Sequence, residues 1–232
     1  KWRMHGGAVT LAKQFKKKNY KPDLILSTDM LDLSTFLALT KTKARSAIYF
    51  HENQLSYPWS PYDRDVLKKR DHHYSFINYV SALSADHVLF NSRFHMEIFI
   101  KKLHSFLNHF PDYNEKETIK IIEKKSEVLN LAIELKKFDS YKYAKHNKPL
   151  ILWNHRWEYD KNPELFFKSL RHVKNLGYNF DLVVLGENFS NSPEIFKNAK
   201  NIFKENILHW GYAKNFDSYA KWLWKANILP VT

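Results

Sequence analysis

The sequence predicts an α/β protein made of two parallel-sheet domains with helices on both faces. Three observations predict this. Short runs rich in aliphatic and aromatic residues alternate with longer helical stretches, the pattern of βαβ units. The alternation stops at a polar, non-periodic segment, ELKKFDSYKYAKHNK at 134–148. It then restarts, so domains are expected at 1–133 and 149–232, joined by a linker at 134–148.

The elements follow in chain order. Asp23–Ser27 reads as a buried parallel strand, followed by a helix from Met30 to Thr40. Ala47–Phe50 is a second strand, followed by a polar, aromatic loop and a helix from Arg64 to about Ala82. Asp86–Phe90 is a third strand and leads into a helix from Ser92 to about Asn108. Lys116–Lys125 is helical, and Val128–Ala132 is a further strand candidate. In the second half Leu150–Trp153 opens a new sheet. A helix at Pro163–Leu176 follows, with Pro in its first turn and Gly177 just past its end, the positions each favours. Phe180–Leu185, a helix at Pro193–Ala199, Ile207–Trp210, a helix at Phe216–Lys225 and the start of a strand at Ala226–Val231 complete the pattern.

Composition limits the chemistry. With no Cys among 232 residues, disulfides, thiolate-bound metals and thiol nucleophiles are excluded. Aromatic residues at 16% and only 5 Gly exclude a disordered or low-complexity chain. No apolar run approaches the length of a membrane span, and the first residues lack the order of a secretory signal, so a soluble, cytoplasmic protein is expected. The chain starts at Lys1 and stops in an apolar, strand-like run, so a fragment of a longer protein is expected. The formal charge is +13, and residues 1–148 carry 26 Lys+Arg against 16 Asp+Glu. Such an excess suits a polyanion such as RNA, though from charge alone the solvated faces of a lysine-rich chain account for it more readily.

Ligands of open parallel sheets bind beyond the carboxyl ends of the strands, which directs attention to the residues that follow each one. After the second strand come His51, Glu52, Asn53 and Gln54, four hydrogen-bonding side chains in a row. A histidine there can hold sugar hydroxyls or move a proton, or it can cap the next helix. After the third strand come Asn91, Ser92 and Arg93; Ser92 reads as a helix N-cap, and Arg93 can face the cleft. In the second domain Arg156 and Lys161 both precede the helix at Pro163. Two cations and a helix N-terminus make a diphosphate site without a metal. The alternative is that Arg156 pairs with Glu158 or Asp160 on the surface. Gly186 directly follows a strand, where a ligand or a backbone can come close. His72 and His73 do not make a metal site, because adjacent helical residues diverge and no further ligand lies one turn away.

These residues resemble a known family. The stretch ILWNHRWEYDKNPELFF, with LVVLGENF and ILHWGYAKNFDSY after it, is similar to the nucleotide-binding domain of retaining family 4 glycosyltransferases, which have the GT-B fold of two Rossmann-like domains. A closer resemblance, to the tRNA-queuosine α-mannosyltransferases, is carried by KWRMHGGA, YFHENQLSYP, ADHVLFNSRFHMEIF and WNHRWEYDKNPELFFKSLRHVKNLGYNFDLVVLGENF. It implies transfer of mannose from GDP-mannose to queuosine in a tRNA anticodon with retention, and no metal or other cofactor. Arg156 and Lys161 are then catalytic, holding the departing diphosphate, and Gly186, Gly211 and Tyr212 contact the donor. His51 is counted with Arg156 and Lys161 as catalytic and also belongs to the acceptor side, near the reacting sugar, with no base role assigned. Glu52, Asn53, Asn91 and Arg93 are on the acceptor side. The resemblance also implies an earlier strand with a glycine-containing loop, and a later segment bearing two glutamates. Neither is in the sequence, so the chain is expected to be inactive alone. Two other readings stay open: a family 4 enzyme with a lipid or polysaccharide acceptor, and a non-catalytic RNA-binding relic.

Overall fold

The computed structural model describes residues 2–58, 73–187 and 193–231. The chain divides into two units, Lys1–Ala132 and Ile133–Thr232. Each is built on a parallel sheet, the α/β class that the sequence predicts.

In the first unit two helices, α1 (Trp2–His5) and α2 (Gly7–Lys18), precede β1 (Leu24–Thr28). Then come α3 (Leu33–Thr40), β2 (Arg45–Phe50), α4 (His73–Ser84), β3 (His87–Phe90), α5 (Arg93–Leu107), α6 (Glu117–Lys124) and β4 (Ser126–Val128). The strands pair in sequence order, all parallel. The helix expected from Met30 begins later, because Asp32 takes the cap: its Oδ1 accepts from the Thr35 N–H at 2.9 Å and its Oδ2 from the Thr35 hydroxyl at 2.6 Å. The helix expected from Arg64 is present from His73 onward; its earlier part and His72 lie outside the described residues. The strand expected at 128–132 sits further back, since pairing with β3 sets Val88 opposite Ser126.

One core cluster dominates this unit. Ile48, Phe50, Val88 and Phe90 point to one face of the sheet and pack with Ala8, Phe36, Ala82, Phe99, Leu103 and Ile122 from the helices. Helices were expected on both faces. On the other face Ala47 and Tyr49 are buried, yet Leu24 and Leu26 at the edge strand remain 54% and 63% exposed.

The second unit opens with the segment expected as a linker. A 3-10 turn there, Leu135–Tyr141, rests on α9 (Phe216–Lys225), where Trp224 Nε1 donates to the Phe138 carbonyl at 2.7 Å. Further along, His146 Nε2 and Lys148 Nζ each reach Asp181 at 2.6 Å. The sheet holds β5 (Leu150–Asn154), β6 (Asp181–Leu185) and β7 (Ile207–Gly211) in sequence order, with α7 (Pro163–Asn175) and α8 (Ile195–Ile202) between them. This sheet is covered on both faces. Ile151, Trp153, Leu182 and Val184 pack with Phe166, Phe167 and Phe196. Leu150, Leu152, Val183 and Leu185 pack with Ala213, Ala226 and Trp222. After β7 and α9, Ile228 makes a parallel bridge to Ile151 of β5. Because Ile228 returns to β5, the chain reverses direction across the sheet there, a topological switch point. Among the described residues no helix is long and apolar enough to cross a membrane.

Candidate active site

Three strands of the first unit end side by side. The register sets Thr28 beside Tyr49 and Phe50 beside Phe90, so the next residues, Asp29, His51 and Asn91, share one edge. Asp29 is 2% exposed, and its Oδ1 accepts from the His51 backbone N–H at 3.1 Å. Burial raises the pKa of this carboxyl, and the N–H groups of His51 and Glu52 oppose the rise. On the other side of the same residue, Asn91 Nδ2 donates to the His51 carbonyl at 2.9 Å. The His51 side chain is exposed and lies against the Tyr49 ring, with ring centres 4.7 Å apart. Tyr49 is itself fixed, its hydroxyl donating to the Leu129 carbonyl at 2.8 Å.

The loop after His51 is locked by side chains. Asn53 is buried, its Oδ1 accepting from the N–H groups of Leu55 and Ser56 at 3.0 and 2.9 Å. Asn78 on α4 accepts from the Gln54 N–H at 2.8 Å and donates to the Asp29 carbonyl at 2.9 Å. Ser75 donates to the Gln54 carbonyl at 2.8 Å. Of the expected acceptor-side residues, His51, Asn91 and exposed Arg93 gather at one edge. Asn53 turns inward and shapes the loop, and half-buried Glu52 lies 3.5 Å from the Gln54 amide. Ser92 caps α5 as expected, accepting from the His95 N–H at 3.1 Å. Sequence reasoning missed Asp29, Asn78 and His95. Asp29 follows a strand directly, as His51 does, and that position was the available signal.

In the second unit the loop after β5 is pinned to the end of β6. The Trp157 N–H donates to the Glu187 carbonyl at 3.1 Å, and Trp157 Nε1 donates to the Leu185 carbonyl at 3.2 Å. Its indole stacks on Phe196 at 4.5 Å. Gly186 has φ +129, and a Cβ there would lie 2.0 Å from the His155 carbonyl oxygen. The close approach that glycine permits is therefore made by the protein's own loop. Along that loop Arg156 pairs with Glu158 at 3.0 Å, its side chain about half exposed. Lys161 pairs with Asp160 at 2.8 Å. The surface pairing weighed for Arg156 is thus present, and an anion at these cations has to exchange with carboxylates. The N-terminus of α7 begins at Pro163 with no side-chain cap. His155 packs edge-on to Trp153; burial lowers its pKa, against a hydrogen bond with the Pro230 backbone, so its ring is neutral at neutral pH.

A cleft of about 320 Å³ opens beside this loop, lined by Asn154, Gly186, Tyr212, Lys214 and Tyr219 among others. Asn154 Nδ2 donates to the Tyr219 hydroxyl at 2.9 Å. Tyr212 is 73% exposed, and Gly211, at φ +118, turns the chain from β7 toward it. Exposed aromatic surface, a lysine and a strand-end glycine suit a planar base joined to phosphates. Of the expected donor residues, Gly186 and Tyr212 line the cleft, while Arg156 and Lys161 are on the adjoining loop. Among the described residues no group of three His, Asp or Glu is placed to hold a metal ion.

Comparison with known proteins bears on these features. Residues 1–133 match the family model described as tRNA-queuosine alpha-mannosyltransferase N-terminal. The whole chain is 31% identical, over 242 aligned positions, to a tRNA-queuosine alpha-mannosyltransferase of Drosophila melanogaster, and spans 62% of that relative's length. Among solved structures, a UDP-forming alpha,alpha-trehalose-phosphate synthase from Burkholderia xenovorans is similar over 97% of this chain and 56% of its own, with TM-score 0.63 at 15% identity. A glycosyltransferase from Rickettsia africae is similar over 97% of this chain and 55% of its own, with TM-score 0.55 at 18% identity. At these identities the likeness is one of fold.

Proposed function

Because the chain belongs to the tRNA-queuosine alpha-mannosyltransferase family, we propose that it forms the greater part of a cytoplasmic retaining glycosyltransferase that moves mannose from GDP-mannose onto queuosine in a tRNA anticodon. The observation that carries this reading is the alignment to the Drosophila melanogaster relative, 31% identical overall and covering the whole chain. Two features support it. The first unit presents an exposed imidazole at a rigid strand edge, suited to hold the reacting sugar's hydroxyls. The second unit presents a cleft at the carboxyl ends of its strands, beside a loop bearing a guanidinium and an ammonium.

In this mechanism the nucleoside base rests by Tyr212 and Gly211, and the diphosphate lies toward Arg156, Lys161 and the start of α7. As the glycosidic bond breaks, negative charge grows on the diphosphate oxygens. Arg156 and Lys161 leave Glu158 and Asp160 for those oxygens and stabilise the charge where it develops, with no divalent ion taking that part. Lysines and arginines of the first unit hold the tRNA backbone.

The test uses the full-length protein with labelled GDP-mannose and tRNA pools from queuosine-containing and queuosine-lacking cells. Label enters only the first pool if the reading is right. Equal labelling of both pools, or of neither, rejects it.

A further inference from the structure

The peptide of His51 is held at both ends, at its N–H by Asp29 and at its carbonyl by Asn91. Asn91 is in turn held by His95 on the first turn of α5, whose Nδ1 lies 2.9 Å from Asn91 Oδ1. The orientation of this amide is determined. Reversed, it would set Oδ1 against the His51 carbonyl, oxygen on oxygen. With Nδ2 toward His51, Oδ1 must accept, so His95 Nδ1 carries the proton.

His95 is an expensive choice for its position. It is 8% exposed, edge-on to Phe90 at 5.3 Å and to Phe50 at 6.4 Å. Its Nε2 is buried with no hydrogen-bond partner among the described residues. Burial lowers its pKa, so the ring is neutral. A phenyl ring would fill this aromatic pocket with no orphaned atom. What the imidazole adds is one directional bond to Asn91.

We infer that Asn91 and His95 are positioning residues: His95 sets the amide of Asn91, and Asn91 holds the His51 carbonyl so that the imidazole stays on Tyr49 and faces the reacting sugar. Asn91 then serves the acceptor edge through His51 and not by touching the acceptor. The inference rests on the reading of His51 above.

The experiment uses the full-length protein and steady-state transfer kinetics for His51→Ala, Asn91→Ala, Asn91→Asp, His95→Phe and the double variant His51→Ala/Asn91→Ala. Misplacement of a reacting group by about 1 Å can cost on the order of 100-fold, so Asn91→Ala and Asn91→Asp are expected to lower kcat about tenfold or more. Asn91→Asp keeps the acceptor for His95 but loses the donor to His51. KM for both substrates stays within about twofold. His95→Phe lowers kcat in the same way, with thermal unfolding no earlier than in the parent. In the His51→Ala background, Asn91→Ala adds less than about twofold, the non-additivity of residues acting as one unit. Additive losses, normal turnover in Asn91→Ala, or a raised tRNA KM with kcat intact overturns the inference. Normal turnover in His51→Ala defeats the reading of His51 instead. Independently of turnover, NMR of histidine-labelled protein reports the contact between the His51 and Tyr49 rings. That contact is expected in the parent and lost in Asn91→Ala, and its persistence there overturns the inference.

Discussion

Two glycines at strand ends separate backbone strain from crowding. Gly186 and Gly211 both have positive φ, +129 and +118. An alanine at either must adopt a conformation that L residues resist, which costs about 1–3 kcal/mol. Their surroundings differ. A Cβ at Gly211 meets nothing within 4 Å, whereas one at Gly186 meets the His155 carbonyl oxygen at 2.0 Å and Trp157 Cδ1 at 2.9 Å. A backbone oxygen at that distance has to move, and the loop moves with it. Overpacking of this kind adds about 1–3 kcal/mol. The moving loop also strains two bonds, from the Trp157 N–H to Glu187 and from its indole to Leu185, each contributing about 1 kcal/mol. Gly186→Ala is therefore expected to destabilise the second unit by about 2 kcal/mol or more beyond Gly211→Ala, a difference to be set against a typical stability of about 5–15 kcal/mol. Urea unfolding followed by tryptophan fluorescence reads it, since Trp153, Trp157, Trp210, Trp222 and Trp224 lie in this unit. Equal losses in the two variants, within about 0.5 kcal/mol, would show that the 155–157 loop does not sit on Gly186.

Other substitutions probe the site and its supports. In the full-length protein Arg156→Ala should lower transfer at saturating tRNA by about 100-fold or more. Folding should be intact, because the half-exposed pair with Glu158 contributes only about 0–1 kcal/mol; near-normal turnover removes Arg156 from the diphosphate site. Asp181 tests the anchoring of residues 146–148. Burial acts to raise its pKa, but the hydrogen bonds from Lys148 and His146 outweigh that and hold it below the ordinary carboxylate value. A depressed carboxylate stabilises the fold above its unfolded pKa of about 3.9 and loses that contribution as pH falls through the folded value. Stability measured between pH 6 and pH 3 should thus fall more steeply in the parent than in Asp181→Asn, and parallel profiles would refute the assignment. Lys125 donates to the Leu83 carbonyl at 2.7 Å, and to that of Ala85, at the end of α4. Lys125→Met leaves those carbonyls without the charged donor and should cost about 1–3 kcal/mol by denaturant titration, with no loss expected only if the contact is dispensable.

Much of the fold was legible because parallel strands buried on both faces read as continuous apolar runs. Leu150–Trp153 and Phe180–Leu185 were located to within a residue of β5 and β6. The helix caps Ser92 and Asn215 lie where side-chain oxygens meet free N–H groups; Ser92 was read in advance, and Asn215 accepts from the Ser218 N–H at 2.9 Å. Less was legible where pairing or capping decides. Leu129 and Leu131 read as strand but are largely exposed, since β4 begins where β3 offers partners. The polar segment at 134–148 read as a linker because its anchors, Asp181, Trp224 and Phe216, are distant in sequence. Around the candidate site, His51, Arg156 and Gly186 are singled out by their positions after strands. The positions alone did not say what each touches.

Local residue pattern was enough to determine the order of strands and helices, the restart after residue 148, and the placing of polar groups at strand ends. These follow from periodicity and from backbone preferences that act over a few residues. Tertiary structure alone decided that Asp29, His51, Asn91 and His95 form one hydrogen-bonded chain, because sheet register brings together residues about 20–65 positions apart. It alone decided that Gly186 receives the protein's own loop. It also decided that Arg156 and Lys161 rest on carboxylates, since an ion pair depends on distances that spacing along the chain does not set.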